Sequence, residues 1–136
     1  MTPRTHEPDP DDALLDTLLN VLGDRRGGPP TLWFLVLDDH DRALPVALPV
    51  EHAPQRPSEA VAAHLVLVLT SVVAHEAPGG SVLVGYVHES GGVDGAFERG
   101  WSRVLRLHAS TAGLRIRAEV AVGAHHAGVL RAPATD

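Results

Sequence analysis

Apolar positions recur along this chain in two rhythms, and the switch between them predicts its elements. In "DDALLDTLLNVLG", Leu14, Leu15, Leu18, Leu19 and Leu22 form a stripe at helical spacing; Asp11 or Asp12 would cap it and Gly23 would end it. "TLWFLVL" is an unbroken apolar run of strand length, expected in a central strand covered on both faces. "ALPVALPV" alternates instead, with Pro45 and Pro49 on one parity. Proline removes ladder donors, so this strand belongs at an edge or is irregular.

Ser58 stands ready to cap a helix over "SEAVAAHLVLVLTSVVAHE", apolar nearly all round and hence expected to be largely buried. "SVLVGYV" repeats the pattern of a buried strand. Phe97, Trp101, Val104, Leu105 and His108 share one face of a further helix that Gly113 ends, with Arg99, Arg103 and Arg106 elsewhere on its surface. "LRIRAEVAV" alternates cleanly, which predicts a strand showing Arg115, Arg117 and Glu119 to water. "GAHHAG" reads as a turn and "VLR" as a last short strand.

The predicted order is therefore α-β-β-α-β-α-β-β, an α/β (α+β) three-layer sandwich around a mixed central sheet. Residues 1–10 and 132–136 are expected as tails, and residues 11–131 as a single domain: an N-terminal helix over 11–23 and a core over 31–131. That first helix either packs on its own domain or, behind a loop with two glycines, pairs with another copy as a homodimer.

Composition narrows the function. The chain of 136 residues has 44% apolar residues, enough for a packed core, and a net charge of -6. Every one of its 11 basic residues is Arg, scattered among 17 acidic ones, which is not the electrostatic footprint of a nucleic-acid binder. Without Cys there are no disulfides, thiolate metal sites or thiol nucleophiles. The polar, Pro-rich start lacks the apolar core of a signal peptide, and "VAAHLVLVLTSVVA" is short for a bilayer span, so a cytoplasmic protein with no membrane partner is expected.

Two enzyme families share this outline, the zinc nucleoside deaminases and the JAB/JAMM metalloproteins. The deaminase signature needs a Pro-Cys-x-x-Cys pair, which a chain without Cys does not have. "LWFLVLDDHDRAL" resembles the first hairpin of the RadC-like JAB branch, and "HESGGVDGAFERGWSRVLR" resembles the segment where that family carries His-x-His-Pro-Ser-Gly and then Asp-Arg opening a helix. "LRIRAEVAVGAHHAGVL" is similar to its closing strands, so the resemblance covers about residues 31–131. It implies a zinc held by two histidines and an aspartate, with a glutamate as general base.

Aligning Ser90-Gly91 with the family's Ser-Gly places His88 at the second histidine, Tyr86 at the first and Glu89 at the proline. The aspartate falls at Arg99, or at Glu98 with one deletion, and the glutamate falls at Pro30. Only His88 survives in kind, as a vestigial position. The resemblance therefore implies a pseudoenzyme, a non-catalytic binding or scaffold module with a protein partner, no catalytic residues and no cofactor. The alternatives are a zinc hydrolase with rearranged ligands, His88 with Glu89, Asp94 and Glu98, and a plain structural or oligomerisation domain.

Other candidates read blandly. His125-His126 at a turn, Ser90 without a nucleophile-elbow sequence, and the segments Pro78–Gly80 and Ser90–Gly92 without a phosphate-loop pattern all suit solvated turns. Trp33 and Trp101 suit the core.

Overall fold

The structure, a computed structural model, describes residues 10–26 and 28–130. Its elements follow the expected order: α1 (Pro10–Leu22), β1 (Thr31–Leu37), β2 (Ala43–Glu51), α2 (Glu59–Glu76), β3 (Ser81–Val87), α3 (Ala96–Ala112), β4 (Ile116–Val122) and β5 (Ala127–Val129). The tails expected at 1–10 and 132–136 lie outside the described residues except for Pro10, which is helical. Proline suits a first helical position because its φ is preset and its missing donor has no partner there. Asp11 and Asp12 consequently sit inside the first turn of α1 and are not its cap, contrary to expectation.

The strands form one mixed sheet in the order β2-β1-β3-β4-β5. β1 runs antiparallel to β2 and β3, β3 and β4 are parallel, and β5 returns antiparallel. All seven residues of β1 and of β3 are buried, as an apolar run in a covered strand requires. β2 lies at the edge with a register shift opposite Leu35 and Leu37, so the proline reading holds on both counts. The turn from β1 to β2 is closed by Asp38, whose carboxylate accepts from the backbone of His40 at 2.8 Å and Arg42 at 2.9 Å. The backbone bond from Arg42 is the leading cause of a lowered Asp38 carboxyl pKa.

Helices cover both faces. α1 buries Leu14, Leu18 and Leu22 against Trp33, Leu83 and Val120 of the sheet. Gly85 makes this possible: a Cβ there would collide with Leu18 Cδ2. Arg117 then staples the helix down, reaching Asp11 at 2.7 Å and Asp41 at 2.8 Å. The first helix thus packs on its own domain. α2 and α3 cover the other face over Phe34, Val84 and Tyr86. Ser58 caps α2 by accepting from the Val61 amide at 3.2 Å, and Gly113 ends α3 in the left-handed region at φ 78.

Two burial expectations fail. α2 buries one side only, through Ala62, Leu65, Val66, Leu69 and Val73, and leaves Leu67 68% exposed. At 18 residues and mean hydropathy 1.4 it is also long and apolar enough for a bilayer span by length and composition, while packing one face into the core. Glu119 is not shown to water but fully buried. β4 is an interior strand with α3 above it, and a register shift near its start puts Ala118, Val120 and Val122 on the α1 side and Glu119 beneath α3. Arg115 is exposed as expected, whereas Arg117 is half-buried in its staple.

Candidate functional site

β3 and β4 are the parallel pair, and their carboxyl ends open at one rim of the sheet. The loops after them, 88–95 and 123–126, meet there. The His88 amide donates to Val122 O at 3.0 Å, the Ala124 amide to Glu89 O at 2.9 Å and the Gly91 amide to His88 O at 2.7 Å. The contact is close enough that a Cβ on Gly123 would stand 2.5 Å from Gly91 O. The segment after β2 closes the third side, with the Ala53 amide donating to Pro30 O and Trp101 Nε1 donating to Pro54 O, both at 2.9 Å.

His88 is half-buried at this rim. Its ring stacks on Phe97 with centroids 5.2 Å apart, and its Nε2 lies 3.3 Å from the Gln55 side-chain nitrogen. An amide donor there suits the ring tautomer with an unprotonated Nε2. Glu98 is 1% exposed and folds back beneath the loop, where its Oε2 accepts from the Gly92 amide at 3.2 Å. Gly95, which precedes the helix, leaves the space that the other carboxylate oxygen fills. This is a carboxylate at the third helical position satisfying a donor ahead of the helix, a variant of the capping box.

The ligand positions implied by the resemblance are occupied otherwise. Tyr86 is fully buried and donates to Glu119 Oε1 at 2.7 Å. Burial, and then the Glu119 charge, hold the phenol well above its ordinary range, so it stays a neutral donor. Glu119 Oε2 forms an ion pair with Arg106, which is partly exposed. Arg99 pairs with Asp94 at 3.0 Å on the surface, and Pro30 contributes a backbone carbonyl to the Ala53 bond. The alternative set is not gathered: Glu89 is exposed, Asp94 is held by Arg99 and Glu98 is turned under its loop. Among the described residues no group of three His, Asp or Glu side chains is placed to hold a metal ion. His125, His126 and Ser90 are exposed, while Trp33 and Trp101 are buried.

Sequence reasoning missed the Tyr86–Glu119–Arg106 chain and the buried Glu98. The first had one signal: Tyr86 sits in a strand otherwise apolar, so its hydroxyl needed a partner from a neighbouring element. For Glu98 the signal was its place three residues after a glycine at a helix start. Compared with known proteins, the chain matches no family model and no curated protein.

Proposed function

We propose that this chain is a RadC-like JAB domain without catalysis, a module that binds or holds another protein. The observation that carries the reading is the fate of Tyr86, the residue at the first metal-ligand position. It is a neutral phenol, sealed in the core and committed to Glu119. A zinc hydrolase needs lone pairs pointed at one open position, with a base beside it. In this chain Glu98 serves a helix start, His88 serves Phe97 and Gln55, and Pro30 carries no proton. What remains at the rim is a polar shelf built from three loops, suited to recognition more than to turnover.

The test is metal analysis and turnover on protein purified without an affinity tag. Less than stoichiometric zinc, and no chelator-sensitive cleavage of a ubiquitin-like or peptide substrate with zinc supplied, are expected. Stoichiometric zinc lost in His88→Ala, with turnover lost alongside it, would replace the binding reading with the hydrolase.

A further inference from the structure

We propose that the outer edge of β5 takes up an extended segment of a partner protein, apolar on one face and acidic on the other, as a further strand of the sheet. Among the described residues β5 ends the sheet on one side and β2 on the other. Pro45 and Pro49 on β2 supply no donors for another strand, whereas β5 carries neither a proline nor a charge. The β4–β5 ladder fixes which groups face outward. The Leu130 amide donates to Glu119 O at 2.8 Å and the Gly123 amide to His126 O at 2.6 Å. Alternate residues of an antiparallel pair bond across it, so the N–H and C=O groups of Ala127 and Val129 point away from β4. An added strand finds its donors and acceptors there.

The two faces beside this edge differ in chemistry. On one, α1 contacts β5, and Leu15, Leu19 and Val129 lie half-buried at the margin of the same core. α1 runs the way β4 does, from Asp11 beside Arg117 to Arg26 beside Gly123, with Leu14 and Leu18 turned down to the sheet. For the right-handed crossover that parallel strands adopt, Leu15 and Leu19 then fall on the flank toward β5. On the other face Val93 packs on Gly128, where a Cβ would stand 3.0 Å from Val93 Cγ1. Arg99, Arg103 and Arg106 make one stripe of α3 at helical spacing. Arg106 reaches Glu119 of β4 and Arg99 reaches Asp94, next to Val93, so the stripe lies on the β4–β5 side. Arg103 is exposed, with no acidic partner among the described residues.

Charge selects the occupant. A strand beside β5 alternates its side chains between these faces. Apolar groups meet Leu15, Leu19 and Val129, and carboxylates meet the arginine stripe. A second copy paired through β5 would instead set one arginine stripe against another. That the occupant is a protein rests on the binding-module reading; zinc content and turnover test that reading, peptide binding tests this edge, and either can fail alone.

The probe is a fluorescein-labelled peptide of about eight residues, within the ordinary strand range, that alternates Val and Glu. It is titrated with the full chain and followed by anisotropy. Saturable binding that weakens as salt rises is expected. Lys in place of Glu in the peptide should weaken binding at least about tenfold. Arg103→Glu should weaken the Glu peptide and not the Lys peptide. Ala127→Pro removes an outward donor at an exposed position that gives β4 no bond, and should weaken the Glu peptide as well. The decisive arm leaves the protein untouched. N-methyl groups on alternate peptide amides should abolish binding on one parity and spare it on the other, because only one set faces β5. No saturable binding, equal binding of the Glu and Lys peptides, or equal effects of N-methylation on both parities would each overturn the proposal. So would a weight-average mass that rises with concentration from 14.4 kDa toward twice that value and is held at one chain by Ala127→Pro, which would give the edge to a second copy.

Discussion

Removing Arg106 should cost this fold more than removing the charge of Glu119, although Arg106 is the more exposed partner. Glu119 is completely buried. One of its oxygens accepts from Tyr86 at 2.7 Å, and the other has the Arg106 guanidinium as an ion-pair partner. In Arg106→Ala the carboxylate keeps its place in the core with a single hydrogen bond and no opposing charge. Breaking a buried pair from this side is expected to cost about 3–5 kcal/mol, a large share of the roughly 5–15 kcal/mol that stabilises a typical domain.

In Glu119→Gln the amide oxygen still accepts from Tyr86, and Arg106, with 42% of its side chain exposed, turns to water. That loss should be about 1–2 kcal/mol, the scale of a weakened hydrogen bond. The double variant should then be more stable than Arg106→Ala alone, because it no longer buries an unopposed charge. Urea unfolding followed by fluorescence of the buried Trp33 and Trp101 measures all three. Equal losses for the two single variants, or an Arg106→Ala loss below about 1 kcal/mol, would refute the reasoning and make the ion pair a surface contact of little worth.

Three further outcomes follow from the same structure. The chain has one tyrosine, so tyrosinate absorbance reports Tyr86 alone. Its phenol is raised well above the ordinary 10.0, so the folded protein keeps a proton that the unfolded chain gives up. Its contribution is full below pH 10.0 and is lost as pH rises beyond that value, so absorbance should grow only together with loss of circular dichroism; a smooth titration of intact protein near pH 10.0 would contradict this. Gly85→Ala should cost about 1–3 kcal/mol through overpacking against Leu18, and Leu18→Ala should cost less in that background than in the wild type. His88→Ala should cost about 0.5–1.5 kcal/mol, the worth of its stack on Phe97, in the same urea assay, and a much larger loss would mean the imidazole holds the rim together.

The elements that could be read from the residues are those whose signal is local. The apolar run of β1, the two prolines on one parity of β2, Ser58 before α2 and Gly113 after α3 each act through their own backbone or side chain, and each stands where expected. Burial of a face depends on what lies above it, which the alternation of a single strand does not record. "LRIRAEVAV" has the pattern of a strand with one wet face, yet α3 covers that face at Glu119 and leaves only the first part of the strand near water. The error on α2 runs the other way. Apolar composition all round suggested burial on all sides, while the sheet offers one surface and α3 takes one flank.

The rim shows the same limit for chemistry. His88, Glu89, Asp94 and Glu98 lie within eleven positions of one another, close enough in sequence to invite a metal site. Whether they converge is decided by two glycines. Gly91 and Gly95 both leave the room that the Glu98 carboxylate fills, and a Cβ on Gly91 would stand 2.6 Å from its Oε2. Glu98 therefore turns inward toward the Gly92 amide, while Asp94 pairs outward with Arg99. A glycine that makes room for a carboxylate and a glycine that merely turns the chain look alike in a sequence. The first removes an acid from the surface and the second leaves it there, and at this rim that difference separates a loop brace from a metal ligand.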